Sequence, residues 1–355
     1  MIIKKILKIL FFTILDISLI SLIVFSNYYF VYLMPHKEKN EENKQVENSI
    51  QSDKDLSENI QNNSTYKSSN VSVTISKKIY VNSGDSSIVN KDSNSKSSEK
   101  SNLDLSNYNM YNPSINNENS KDEDLNKNDN MKNTTNYYVA DIYIANINSL
   151  KTHFAKSTYG TGYTDSLLNM SKENKSIISI NGDSYSYNKS KNSAGPLIRN
   201  GTVYRLEDTT SDVCILYNNG IMETYTNDEY KSKNINYNDV YQTWVFGPCL
   251  LDKEGKASKT FNTSSYIKGY HPRTAIGYFS PGHYCFVVVD GRGLNSSNGL
   301  LLDDLAKIFE SLGCKSAYNL DGGHCSFMTF NNDYINSPSN KSTEITDGIF
   351  IEEVN

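Results

Sequence analysis

From Tyr137 onward the chain breaks into short apolar runs separated by turn residues. "YYVADIYIA" (137–145) alternates in polarity and is rich in β-formers, which predicts a strand. Apolar spacing over 165–174 predicts a short helix, and "SIISI" (176–180) a strand ending at Asn181, Gly182 and Asp183. "GPLIRNGTVYR" (195–205) predicts a hairpin about Asn200-Gly201, a pair suited to a turn with two positive φ angles. Residues 212–226 repeat the pattern, turning at Asn218, Asn219 and Gly220. "RTAIGYF" (273–279) and "YCFVVVD" (284–290) flank Ser280-Pro281-Gly282-His283 and predict an antiparallel hairpin. With those four residues as the loop, Phe279 faces Tyr284, and counting outward sets Arg273 opposite Asp290. Leu302, Leu305, Ile308, Phe309 and Leu312 then recur on one helical face, Gly313 is placed to cap it, and a strand runs from Ser316 to Leu320.

Strand, helix and strand in succession form a crossover unit whose two strands lie parallel in one sheet. Asp290 and Asp321 therefore emerge at the carboxyl ends of strands, on one edge, and the hairpin brings Arg273 to that edge. The helix and strand of 165–183 can deliver Asp183 as a third carboxylate. Ligands commonly bind outside the carboxyl ends of such strands. A single Asp-Gly pair reads as a tight turn. Three aspartates at strand ends with an arginine between them read as a polar pocket.

The first 136 residues differ in kind. Lys4, Lys5 and Lys8 precede an uncharged run from Ile17 to Met34, and Pro35, His36 and Lys37 follow. Eighteen residues at about 1.5 Å rise nearly span a bilayer core of ~30 Å. Asp16 interrupts the apolar residues before it, while Tyr28, Tyr29, Phe30 and Tyr32 suit a membrane interface. No small-residue cleavage site is evident, so 1–35 is expected to be a cytoplasmic tip and an uncleaved single-pass anchor, with the rest of the chain exported. Residues 36–136 are dominated by Asn, Ser, Lys, Asp and Glu and contain no Phe, Trp, Ala or Cys, which predicts a disordered stalk. Within it "VSVTISKKIYV" (71–81) alternates like a strand, but is expected to stay outside the folded domain, placed at 137–355.

Charge is nearly balanced, with 35 Lys and Arg against 40 Asp and Glu, which argues against a nucleic-acid partner. The five cysteines all follow residue 213 and none has C-x-x-C spacing, so a zinc ribbon or thioredoxin-like motif is not expected. Their odd number in an exported chain leaves at least one thiol free or paired between chains. Paired carboxylates serve glycoside hydrolysis, an arginine fork suits phosphate, and Gly322 and Gly323 let backbone N–H groups approach an anion or a sugar hydroxyl. Together they point to a substrate with a sugar and a phosphate.

The segments "NGDSY" (181–185), "GPLIRNG" (195–201), "FGPCLL" (246–251), "HPRTAIG" (271–277), "VVVDGRG" (287–293) and "NLDGGHCSFM" (319–328) resemble, in order and spacing, the phosphodiester glycosidase family. That family is similar to the uncovering enzyme that removes N-acetylglucosamine from a phosphodiester on mannose, and its bacterial members are often labelled exopolysaccharide biosynthesis proteins. The resemblance covers roughly 137–352. It implies a mixed α+β domain and a site lined by Asn181, Gly182, Arg273, Thr274, Asp290, Asn319, Asp321, Gly322 and Gly323. Two departures stand out. His324 and Cys325 replace the third glycine and the first serine of the family's N-L-D-G-G-G-S, and the first box reads Asn-Gly-Asp-Ser-Tyr, which makes Asp183 less secure than Asp321.

The expected reaction is hydrolysis of a sugar-1-phosphodiester in a cell-surface glycopolymer. Asp321 would be nucleophile or base. Asp290 would position a hydroxyl or share acid–base work, and His324 adds a proton carrier. Arg273 and Arg292 would clamp the phosphate. His271, before Pro272, reads as a strand-entry residue. A thiol hydrolase built on Cys325 would need His271 or His283, because adjacent side chains on an extended chain point apart. No metal or cofactor is expected; Ca2+ is an alternative use of the carboxylates, although their spacing matches no EF-hand loop. The rival reading is a surface carbohydrate-binding module without catalysis.

Overall fold

The computed structural model describes residues 18, 21–22, 36–37, 56–81, 134–185 and 194–354. The expected anchor, apart from isolated positions, and much of the expected stalk lie outside the described residues. Among the described residues no helix is long and apolar enough to cross a membrane.

A seven-stranded sheet forms the frame. Its order is Ser316–Asn319, Arg273–Ser280, His283–Val289, Thr134–Ile144, Val71–Val81, Thr65–Lys67 and Ile60–Asn62, and every neighbouring pair is antiparallel. The 283–289 and 316–319 strands both run opposite to the 273–280 strand between them, so they are parallel to each other. This is the predicted crossover, with one strand intervening. Helix Leu302–Leu312 makes the connection, and Gly313 ends it with φ 80°.

One expectation is corrected outright. The expected stalk is not disordered over 60–81, and 71–81 is not excluded from the fold: residues 71–81 pair with 134–144 from Val71↔Ile144 to Val81↔Thr134, and strands 65–67 and 60–62 pair onto them in turn. The alternation of 71–81 is the cause. Val71, Val73 and Ile75 turn one face into the core, beside Tyr66 of the next strand. The partner strand also starts earlier than expected, at Thr134.

The register of the site hairpin is corrected by one residue. Ser280 pairs with His283, Tyr278 with Tyr284 and Arg273 with Val289, with an irregularity between Tyr278 and Ser280. The turn is two residues rather than four, because Pro281 presets its own φ and Gly282 supplies φ +81°. Phe279 becomes the unpaired bulge residue.

A five-stranded sheet, ordered Asp333–Tyr334, Met328–Phe330, Ile178–Asn181, Asp347–Ile351 and Leu150–Phe154, packs against one face of the seven-stranded sheet. Ile276, Phe286 and Val288 meet Ile178, Ile180, Met328 and Ile349 in a shared core. A three-stranded sheet, ordered Met222–Tyr225, Val213–Tyr217 and Val240–Trp244, adds Leu216 and Trp244 to it. Phe286 is fully buried there, where truncation to Ala costs ~3–5 kcal/mol. Helix 302–312 covers the other face of the large sheet through Leu305, Ile308 and Phe309 on Ala275, Val287 and Val289. The remaining predicted elements are present: helix Leu167–Glu173, N-capped by Ser166, and the Leu197–Arg199 and Thr202–Arg205 hairpin, with φ 53° at Asn200 and 79° at Gly201.

Candidate active site

Three loops converge where the 273–280 strand begins. Leu320 N–H donates to the Thr274 carbonyl at 2.8 Å and Gly323 N–H to the Pro272 carbonyl at 3.0 Å, which lays 320–323 along the entry to that strand. On its other side Val289 pairs with Arg273, so Asp290 follows at the same level. The second sheet joins through Asp321 N–H, which donates to the Gly182 carbonyl at 3.2 Å. The backbones of Arg273, Asp290, Asp321 and 181–183 therefore share one rim. Asn181 fastens it. Its Nδ2 donates to the Asp321 carbonyl at 2.8 Å, while its Oδ1 accepts from Thr274 Oγ1 at 2.7 Å and Phe327 N at 3.1 Å. Asn181 and Thr274 are thus committed to holding the 321–327 loop on the sheets.

Asp321 is partly exposed on that rim. Its Oδ1 accepts from Gly322 N–H at 2.8 Å and its Oδ2 accepts from the Ser184 hydroxyl. Burial pushes its pKa up, while the bonds from Ser184, Cys325 and Gly322 pull it back. Burial and the Asp321 charge together push the Cys325 thiol far above its ordinary value, so it is a poor thiolate nucleophile. Neither histidine required by a thiol hydrolase serves it. His271 Nε2 is 2.7 Å from the Tyr266 carbonyl, and His283 Nε2 is 2.7 Å from Asp141 at the far end of the hairpin.

Asp290 lies deeper and is buried. Its Oδ1 accepts from Ser337 N–H at 2.9 Å and Asn336 Nδ2 at 3.2 Å, and burial raises its pKa. Asn336 Nδ2 also donates to the Ser326 carbonyl at 3.0 Å, which ties Asp290 to the Asp321 loop. The Tyr138 phenol is held well above its ordinary pKa by burial and the Asp290 charge.

The arginines divide. The Arg273 backbone is on the rim, but its guanidinium does not stand between the carboxylates. It donates through Nε to the Leu300 carbonyl at 3.0 Å and through Nη2 to the Gly269 carbonyl. Adjacent strand residues face opposite sides. Thr274 faces the inter-sheet core, so Arg273 leaves on the side of helix 302–312. Among the described residues it has no ion pair, and burial lowers its pKa to about 10. Arg292, by contrast, is exposed. Its Nη2 lies 3.0 Å from where a Cβ on Gly323 would stand, so it overhangs the Asp321 loop. Gly323 has φ +66°, and a Cβ on Gly322 would stand 2.8 Å from the Pro272 carbonyl, so the loop cannot carry side chains there without shifting. His324 is exposed, with Nδ1 2.9 Å from Ser339 Oγ. Asn319 is turned away, with Nδ2 donating to the Gly247 carbonyl at 2.8 Å.

Asp183 belongs to a buried charge cluster behind the rim. Its Oδ1 accepts from Arg199 Nη2 at 2.7 Å and its Oδ2 from Val245 N–H at 2.8 Å. The same Arg199 Nη2 donates to Asp347 Oδ2 at 2.8 Å, and all three side chains are buried. A Cβ on Gly182 would collide with the Asp347 carboxylate, which is why that position is bare. Sequence reasoning passed over Arg199 and Asp347. The available signal was Asp347-Gly348, the same pair as Asp290-Gly291 and Asp321-Gly322. One guanidinium faces two carboxylates, so burial and the Asp183 charge raise the Asp347 pKa to about 7. A carboxyl raised in the folded state stabilises below its unfolded pKa of ~4, and that stability is lost as pH rises to about 7. Asp347→Asn should therefore gain melting temperature over the parent between pH 4 and 7 and hold that gain above. Thermal unfolding at pH 5 and pH 8 checks it; a pH-independent difference would exclude a proton on Asp347.

A sequence profile described as phosphodiester glycosidase matches residues 174–352, just over half of the chain and nearly all of the rim. An uncharacterized SPbeta prophage-derived protein, YomE of Bacillus subtilis strain 168, is 30% identical over 197 residues, covering 54% of this chain and 29% of its own length. The chain thus spans well under half of that relative. Among solved structures, the catalytic domain of zebrafish N-acetylglucosamine-1-phosphodiester alpha-N-acetylglucosaminidase, auto-inhibited by its pro-peptide, aligns with a TM-score of 0.48 and 19% identity over 62% of this chain and 78% of that one. A hypothetical protein from Synechocystis aligns at 0.42 and 14% identity over 61% of this chain and 59% of that one.

Proposed function

Since the chain belongs to the phosphodiester glycosidase family, we propose that it hydrolyses a sugar-1-phosphodiester in a cell-surface glycopolymer, from a domain held outside the cell by the apolar segment near its N-terminus. The observation that carries this reading is Asp321. It is a carboxylate at a strand end, partly exposed, with a raised pKa and oriented by Ser184 and Gly322. A group so held can take a proton from water at the anomeric carbon. The new C–O bond forms from that water as the bond to the phosphate oxygen breaks, and the phosphate monoester leaves with the electron pair. Its second pKa is ~6, so it departs without an acid. One working carboxylate then suffices. Asp290 acts by fixing the loop through Asn336. The anomeric oxygen being on phosphorus, an anion clamp is the other requirement, and the overhanging Arg292 is best placed to supply it, with the uncompensated Arg273 charge behind.

Arg292→Ala should lower kcat/KM roughly 10–100-fold, the worth of a charge-assisted contact. Steady-state kinetics on a hexose 1-phosphodiester checks it, and an unchanged value would remove Arg292 from the clamp. The function itself is tested by incubating the full chain with that compound and assaying free hexose. Release that requires Asp321 supports a glycosidase; binding without release would make the protein a carbohydrate-binding module.

A further inference from the structure

The opposite end of the large sheet carries two adjoining cavities, of about 490 and 380 Å³. Ile221, Glu223 and Lys233 line both, so they form one groove. Tyr278 and Ser316 belong to the first, and each lies five residues along its strand from Arg273 or Asp321, which at about 3.3 Å per residue is ~17 Å from the rim. Each volume falls in the range of small-molecule sites, ~300–1,000 Å³.

The charges in the groove are unevenly committed. Glu229 caps the helix Asn227–Ser232 and pairs with Lys253 at 3.3 Å. Asp252 closes a turn by accepting from the N–H groups of Glu254 and Lys256 at 3.0 and 2.8 Å, and Glu223 takes the Tyr225 hydroxyl. Lys253 donates to the Thr224 carbonyl at 2.7 Å. Asp239, in the second cavity, accepts from Asn236 Nδ2 at 2.8 Å. Of the lining lysines two are not engaged in an ion pair. Lys233 rests on the Tyr225 ring, 5.4 Å from its centroid, and Lys315 also lines the first cavity. Among the described residues neither has a carboxylate within ion-pair distance. In the second cavity the side-chain amide nitrogens of Asn219 and Asn234 likewise make no hydrogen bond among the described residues.

We propose that this groove is a second, non-catalytic binding site for an extended phosphate-bearing glycan. The two lysines meet phosphate, the asparagine amides meet sugar hydroxyls, and the volume of the joined cavities has room for more than one sugar unit. The choice of a glycan over a smaller anion rests on the glycosidase reading, but binding here needs no turnover at Asp321.

Calorimetric titration of the full-chain Asp321→Asn variant with a phosphomannan, a phosphate-free mannan and inorganic phosphate tests this. Phosphomannan should bind, with affinity falling at least about tenfold when Lys233→Ala and Lys315→Ala are combined. Ile221→Trp, which fills the junction of the cavities, should do the same, while both changes in the active background leave hydrolysis of a small hexose 1-phosphodiester and the melting temperature unchanged. Unaltered phosphomannan affinity in both variants overturns the proposal, as does a loss matched by equal damage to hydrolysis or melting. Inorganic phosphate binding as tightly as phosphomannan reduces the groove to a free-phosphate site and overturns the glycan claim. Failure of small-substrate hydrolysis in the parent would count against the glycosidase reading alone.

Discussion

Asp321→Asn lowers release of sugar from a hexose 1-phosphodiester by about 10²–10⁴-fold, the usual contribution of a positioned base. The amide keeps shape and size, and its oxygen can still accept from Ser184 or Gly322, so binding and melting temperature change little. This pattern, with kcat lost and KM nearly kept, separates a group acting on the reacting atoms from one that merely shapes the loop. Asp290→Ala should instead remove the oxygen that accepts from Asn336 and Ser337, so its loss of activity should come with a lower melting temperature. Kinetics and thermal unfolding of the two variants side by side check this. Equal kcat for Asp321→Asn and the parent would exclude Asp321 from the chemistry.

A fragment limited to 130–355 does not fold as a cooperative unit. It lacks the 71–81 strand and with it Tyr66, Val71, Val73 and Ile75 from the core between the sheets. At ~1.5–3 kcal/mol for each buried side chain, those four are worth roughly 6–12 kcal/mol. The whole stability of a domain is about 5–15 kcal/mol, so the loss is of the same size as the total. The 134–144 strand would also present an open edge to other chains. The expected result is aggregation, or a broad non-cooperative melt, for 130–355, against a sharp transition for 55–355. Matching transitions would show that the early strands are an accessory to the fold.

That strand also marks where the sequence stops being readable. Its alternation was visible, but its partner begins more than fifty residues later, beyond a strongly polar tract. Local composition there points to a stalk, and only long-range pairing shows otherwise. The hairpin, the helix and the crossover were legible because their signals are local: turn residues between apolar runs, and one helical stripe. The register slipped at Phe279 because Pro281-Gly282 makes a shorter turn than the four-residue reading, and a bulge absorbs the difference. At the site, strand ends brought Asp290 and Asp321 to one rim on topology alone. The direction of Arg273 was not accessible in that way, since it depends on which sheet face helix 302–312 covers. Arg199 looked like a residue beside a hairpin turn, and only folding the second sheet onto the first gives it two aspartates.

Hydrolysis of a hexose 1-phosphodiester in water enriched in heavy oxygen shows which bond of the phosphodiester breaks. Mass analysis of the two products should find the label on the anomeric hydroxyl of the released sugar and none on the phosphate monoester. Label on the phosphate would mean attack at phosphorus, and would contradict a glycosidase acting through Asp321.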